Sequence, residues 1–458
     1  MNTSISQTAK RFSLLKKRKF NTPQFLKAGL YMTWGASLLL AAITISGIGS
    51  QRNAIKTVGK DAAPSVLLAQ RIKDSLADMG ANGVRQLLVK PGENPEADNG
   101  FEYRRQKLGT LIVDASKNIT YGEQESKPLT NMVNGLTQYM LVIQQAREAN
   151  ARGDRASTLA KFYEAVNVQI QPEADALSKV NLDNLNRIYA EQKVNSVISL
   201  FLIAIAGLFL LGVLLVTQIF LYRRMRRIVN PMLAAATVIS VIFLGYTFNS
   251  LQTASSQLKV AKEDAFVSLY SLRQARALAY NANRDRSRYL LDTGNQAKHE
   301  QAFQEKINQI AQPPNGQTLE STVTNNGASG IGLTGLLGEE FKNITFDGER
   351  EAVAATVKAL AKYLVIDEQI RQLELSGKHA EAIQLSVSSQ PGGSSSAFEE
   401  FKVTNQKAMD INQAAFDKAI EQGFKNVEGF EIKVTVAAIT ISVLALLGMR
   451  DRIKEYEI

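Results

Sequence analysis

The chain has 458 residues, no cysteine, two histidines and a formal net charge of +10. Disulfides and thiolate metal sites are therefore excluded, and with His299 and His379 so far apart in sequence neither a histidine-rich metal site nor a Ser-His-Asp triad is expected. The positive charge is concentrated beside apolar runs, seven basic residues with no acid in 1–27 and Arg223, Arg224, Arg226 and Arg227 in mid-chain, which marks the cytoplasmic side of a membrane protein rather than a nucleic-acid surface.

In chain order, residues 1–27 read as a basic cytoplasmic arm and 28–48 as a first uncharged span. An outer segment, 49–193, precedes a second span at 194–222, the basic loop 223–231 and a third span at 232–248. A second outer segment, 249–431, leads to a fourth span at 432–449, in which Lys433 would snorkel, and to the tail 450–458. About 20 apolar residues at 1.5 Å each cross a hydrocarbon core of about 30 Å. The first run is too long for the apolar region of a signal peptide, and no A-x-A site follows it cleanly. The basic flanks place both termini and the mid-chain loop in the cytoplasm and both outer segments on the opposite side. The spans carry no ionisable residue in their interiors, which argues against an ion or proton path.

Within the first outer segment, Leu68, Ile72, Leu76, Met79, Gly83 and Leu87 recur at intervals of three or four, the apolar stripe of a long helix. Pro91, Gly92 and Pro95 end it. A second helix is expected from about Phe101 to Lys117, then a turn at Asn118-Ile119-Thr120. A third helix carries Leu136, Met140, Ile143 and Arg147 and stops near Gly153-Asp154, and a fourth, interrupted at Pro172, runs into the second span.

The second outer segment repeats the first. Lys117 to Tyr121 (KNITY) recurs as Lys342 to Phe346 (KNITF), and Tyr139, Arg147 and Gly153 recur as Tyr363, Arg371 and Gly377. Ser65, Arg85, Leu87 and Leu88 recur as Ser268, Arg288, Leu290 and Leu291. The turn matches a glycosylation acceptor pattern, but its recurrence suits helix capping better. Gln312–Gly338 and Ser389–Ser396 read as connecting loops, with a partner-binding surface as the sharper alternative. The expected fold is all-α: an integral membrane protein with four transmembrane helices and two extracytoplasmic antiparallel four-helix bundles related by an internal repeat.

Span, bundle, span is a layout that resembles the periplasmic sensing domain of bacterial methyl-accepting chemotaxis receptors, and the stretches around Arg147–Asp154 and Gly377 are similar to the pattern before the last helix of such domains. The resemblance covers both outer segments and the spans. It implies sensing of a ligand or partner outside the cytoplasm, with the tandem supplying both halves of a paired bundle. Receptors of that family continue into a long cytoplasmic coiled coil that binds a kinase. Here Asp451–Ile458 follows the last span, so output is expected through a separate protein.

Arg85 and Arg288, at equivalent positions, with Arg284 and Arg286 nearby, suit bidentate contact with a small anion between bundles, the alternative being a solvated face with salt bridges. Tyr139 and Tyr363 read as core aromatics before ligand contacts. Arg223, Arg224, Arg226 and Arg227 serve topology and suit anionic lipid or a cytoplasmic partner. No catalytic constellation, cofactor motif or metal-spaced cluster is present in the sequence, so no enzyme and no cofactor are expected. Membrane lipid, a membrane or cytoplasmic protein and further copies of the chain are the expected partners. The location is a bacterial plasma membrane, and an internal membrane such as the thylakoid fits the same signals. A sensor or transducer subunit is one functional reading, and a scaffold or assembly factor for an envelope or membrane complex is the other.

Overall fold

The computed structural model describes residues 22–168, 170–225, 230–324 and 330–455. The described residues are helical nearly throughout, without a strand; the lone β-bridge joins Gln312 and Thr334. They divide into two compact units. One holds residues up to Arg52, Gln192–Ser255 and the chain from Lys425; the other holds Asn53–Glu191 and Ser256–Phe424.

The first unit contains the apolar parts of α1 (Thr22–Lys56), α6 (Ile170–Met225), α7 (Pro231–Lys259) and α15 (Phe430–Lys454). Four helical stretches are long and apolar enough to cross a membrane. Leu38, Phe201, Leu208, Ile242 and Ile432 keep much of their surface exposed, an arrangement suited to a lipid solvent. Small and hydroxylated residues make the close approaches. A Cβ on Gly29 would lie 3.0 Å from Thr217 Oγ1, and one on Gly47 would lie 3.1 Å from Ser199 Cβ. Trp34 Nε1 donates to the Ser442 carbonyl (3.0 Å), and the Asn230 amide donates to the Gly448 carbonyl (2.6 Å). Asn230 Oδ1 accepts from the Met232 and Leu233 amides, satisfying free donors at the start of α7. Lys433 turns to the Tyr246 hydroxyl, at 2.6 Å.

The second unit begins with a π-helical turn, Thr57–Ala62, followed by α2 (Ala63–Leu87). Next come α3 (Pro95–Lys117), α4 (Glu123–Ala151) and α5 (Arg155–Val166). Its later part begins with a second π-helical turn, Val260–Phe266, followed by α8 (Val267–Leu291) and α9 (Gln296–Ile310). The short α10 (Leu319–Thr324) and α11 (Leu336–Asn343) follow, then α12 (Glu349–Leu375), α13 (His379–Val387) and α14 (Ser394–Val427). The stripe on α2 is buried as its spacing requires: Ile72, Met79 and Leu87 are at most 1% exposed and pack in a core with Phe101, Leu108, Met132, Ile143 and Ile170. Each such side chain contributes about 1.5–3 kcal/mol by burial.

Local signals set the helix ends. Asn94 and Asp154 accept from the amides three residues on and cap α3 and α5. Gly153 (φ 74°) and Gly377 (φ 75°) adopt the left-handed conformation just beyond α4 and α12, and the next amides, of Asp154 and Lys378, bond back to Ala149 and Leu373. The fourth helix is interrupted after Val166 and resumes at Ile170, so the interruption precedes Pro172. Pro172 is the third residue of α6, where a missing N–H costs nothing. The asparagines of the two NIT turns also act differently from a cap. Asn118 Nδ2 donates to Ser65 Oγ (2.6 Å), and Asn343 Nδ2 donates to Ser268 Oγ (2.9 Å) and to the Asp264 carbonyl (2.8 Å). The capping falls to carboxylates: Glu125 accepts from the Thr120 and Tyr121 amides, Glu349 from those of Thr345 and Phe346.

Candidate functional site

Helices α2 and α8 make the most extensive helix–helix packing among the described elements. What they bring together is mainly polar. Asp74, Asp78, Asn82 and Arg85 follow one another at helical spacing on α2, as do Arg273, Arg276, Tyr280, Arg284 and Arg288 on α8. Every one of these side chains is buried or half-buried. A charge in such a place costs several kcal/mol unless it is paired.

Most are paired. Arg104 from α3 donates to Asp78 (2.5 Å) and to the Tyr280 hydroxyl (3.1 Å). Arg276 lies 3.8 Å from Asp74 and donates to Gln406 (2.7 Å). Asp285 takes Arg288 at 3.1 Å and Lys306 at 2.6 Å. Arg286 pairs with Asp367, each side chain only 2% exposed, and lies over the rings of Phe303 and Tyr363. Burial nevertheless raises the Asp74 carboxyl above the usual range, against the arginines around it.

Two guanidinium groups stand apart. Arg273 and Arg284 make no hydrogen bond and no ion pair with the described residues, and Nε of each is buried without a partner. Burial pulls both down to about 10, so both keep their charge at neutral pH. Arg284 is surrounded deeply yet keeps partial access to solvent. Gly80 on α2 makes room for it: a Cβ there would lie 3.3 Å from Arg284 Nη1. Arg288 adds a second positive charge close by, with Nη2 buried and unbonded. Tyr139 lies within reach of the charges of Arg284, Arg288 and Arg147. The result is a buried, net positive cluster with a phenol beside it, chemistry that would stabilise a small oxyanion.

Of the arginines singled out in the sequence, Arg284 and Arg288 come together, beside Tyr139. Arg85 lies elsewhere on the interface. It donates to Ser395 Oγ (2.5 Å), lies 3.7 Å from Glu96 and feels Tyr363. The arginine at the end of each long helix thus sits near the tyrosine of the other outer segment. At 7% exposure Arg85 is not on a solvated face. Arg223 and Arg224 are exposed at the end of α6; Arg226 and Arg227 lie outside the described residues. Sequence reasoning missed Arg273, Arg276, Asp74, Asp78 and Asp285. The signal was the spacing of three, four, four and four from Arg273 to Arg288, the same period as the apolar stripe of α2.

Among the described residues no group of three or more histidine, aspartate or glutamate side chains is placed to hold a metal ion. A cavity of about 680 Å³ flanks the interface, lined by Lys73, Asp175, Gln274, Leu278, Asn281 and Leu336, and there Lys73 and Asp175 neutralise one another at 2.5 Å. No curated protein and no solved structure matches the chain. A family model described as an actinobacterial sensor domain matches residues 54–190, so the first outer segment, which contributes α2, Tyr139 and Arg147 to the arginine cluster, is similar to a sensory domain.

Proposed function

We propose that the chain is a membrane-embedded sensor or transducer subunit. It binds a small oxyanion at Arg284 and Arg288, with Arg85 supporting the interface, and acts without catalysis through a separate cytoplasmic protein. One observation carries the ligand class: the charged Arg284 guanidinium sits in the α2–α8 interface with no carboxylate of the described residues bonded to it. The similarity of residues 54–190 to a sensor domain supports the sensing role. Membrane embedding rests on the four apolar helices, and a cytoplasmic placement of both termini rests on the basic flanks.

In this reading the two outer segments are copies of one unit, each a four-helix bundle like the periplasmic domain of chemotaxis receptors, and the tandem does within one chain what two subunits do there. Matching interactions support it. Asn118 and Asn343 reach the serines that open the two long helices, Glu125 and Glu349 hold the following turns, and each long helix is preceded by a π-helical turn.

A second reading, a non-catalytic scaffold for an envelope or membrane complex, draws on the other pairs of the same network. Arg286–Asp367 and Arg104–Asp78 would make the unit stiff whether or not a ligand binds. Cross-linking in native membranes, followed by purification and identification of what is captured, separates the two. A parallel sample carries Arg223, Arg224, Arg226 and Arg227 changed to Gln in pairs. The sensor reading expects a kinase, cyclase or adaptor, lost in the Gln variants. Recovery of envelope proteins alone, unaffected by the changes, would leave the scaffold.

A further inference from the structure

Around its NIT turn the second outer segment contains a buried pair of carboxyl groups that the matching turn of the first does not. Glu340 on α11 is 1% exposed and Glu349 at the start of α12 is fully buried. Glu349 keeps one acceptor site open: one oxygen takes the Thr345 and Phe346 amides, the other only the Asn412 amide at 2.6 Å. Both oxygens of Glu340 are buried without a well-aligned hydrogen bond, the neutral Ser268 hydroxyl being the donor beside them. A carboxylate cannot remain ionised there beside a second carboxylate, and a carboxylic acid can, because it donates to its neighbour. Burial first, then the charge of Glu349, pushes Glu340 up to about 8. At the position equivalent to Glu340 the first segment has Ala115, half-buried and without a carboxyl group, so Glu125 there has no such companion.

The position of the pair gives it a consequence. Glu340 lies three residues before Asn343, whose side chain grips the Glu263 and Asp264 carbonyls and Ser268. Glu263 and Asp264 belong to the π-helical turn Val260–Phe266, and a wider helical turn of this kind needs side chains to satisfy the carbonyls it frees. Other charged groups of that turn are occupied. Glu263 accepts from the Tyr189 hydroxyl, and Lys262 lies over the Phe266 ring. The Asp264 carboxyl is itself raised, by burial first, and feels Glu349. From α8 the pair meets the neutral Ser268, and from α14 the neutral Asn412.

We propose that Glu340 and Glu349 share one proton, and that losing it releases the hold of Asn343 on the π-helical turn, making this joint responsive to the pH of the compartment around it. With the proton gone, two adjacent buried carboxylates repel and α11 moves off α12, taking Asn343 with it. The inference is independent of the anion site, which lies in the α2–α8 interface and involves neither glutamate.

Hydrogen exchange on the full-length protein in nanodiscs, corrected for intrinsic rates and run from pH 6 to pH 9, tests this directly. Protection of amides in 260–268 and 336–346 is expected to fall about tenfold with a midpoint near pH 8. The turn at 57–62 serves as the internal control and stays flat. Glu340→Gln, which stays neutral and still donates, and Glu340→Ala, which copies the first segment, each abolish the pH step. Protection that is flat with pH in the wild type, or a step that survives in both variants, would overturn the shared proton. So would protection at pH 9 that returns on adding sodium ions, which would make the pair a cation site instead.

Discussion

Removing one member of the Arg286–Asp367 pair should be among the most damaging single changes in this protein. Both side chains are 2% exposed, and Asp367 also takes Arg371 at 3.2 Å. Asp367→Asn leaves the Arg286 charge buried with the Tyr363 hydroxyl at 3.4 Å and the faces of Phe303 and Tyr363 as compensation. Breaking a buried pair from one side costs about 3–5 kcal/mol, and a cation over an aromatic ring recovers about 1–2 of that. A loss of about 3 kcal/mol is therefore expected. Replacing both partners with apolar groups, Arg286→Met with Asp367→Leu, removes the desolvation penalty along with the attraction and should fall within about 1 kcal/mol of wild type. Denaturant unfolding followed by circular dichroism in one detergent measures all three proteins. A single variant costing under about 1 kcal/mol, or a double variant worse than the single, would refute the reasoning from buried charge.

Stability should also depend on pH through Glu340. Its folded value near 8 lies above its ordinary 4.5, so between these values the folded state holds a proton that the unfolded chain has lost. Stability then falls as pH rises through that window, by at most about 1.4 kcal/mol per unit, and Glu340→Gln should flatten the difference in melting profiles between pH 5.5 and 7.5. Asn343→Ala removes bonds to Asp264 and Ser268 and should cost about 1–3 kcal/mol, more than Asn118→Ala, which loses one to Ser65; paired denaturation curves decide. Gly338→Ala would drive a methyl into the Leu333 carbonyl, a backbone atom that cannot turn aside, and a loss of about 1–3 kcal/mol is expected in thermal melts.

Run length and period made much of the fold legible. The apolar runs lie within α1, α6, α7 and α15, and the stripe from Leu68 to Leu87 lies along α2, because burial acts on one helix at a time. Pro91, Gly92 and Pro95 lie between α2 and α3 or open α3, as backbone sterics demand. The short α10 and α11 fall in a stretch that reads as loop, since six or eight residues carry too few turns for a period to show. Arg284 and Arg288 were legible as candidates for a ligand. Their setting was not, because their surroundings come from residues far away in sequence: Gly80, Tyr139 and Phe162 from the first outer segment, and Lys306, which shares Asp285 with Arg288. The two NIT turns recur visibly, yet whether an asparagine caps its own helix or reaches a neighbour depends on packing that local spacing does not contain.

The central claim, that the unpaired Arg284 waits for an anion, is tested most directly by calorimetric titration of the purified full-length protein with succinate, citrate and inorganic phosphate. Arg284→Met is run in parallel, with its melting temperature recorded without ligand. Removing an unpaired buried charge should leave the variant at least as stable as wild type, while at least one of the three anions binds wild type and raises its melting temperature with the logarithm of ligand excess, and the variant binds none. An Arg284→Met protein that is strongly destabilised, or wild type that binds none of the anions at millimolar concentration, would contradict the account and return Arg284 to the ion network as a structural member.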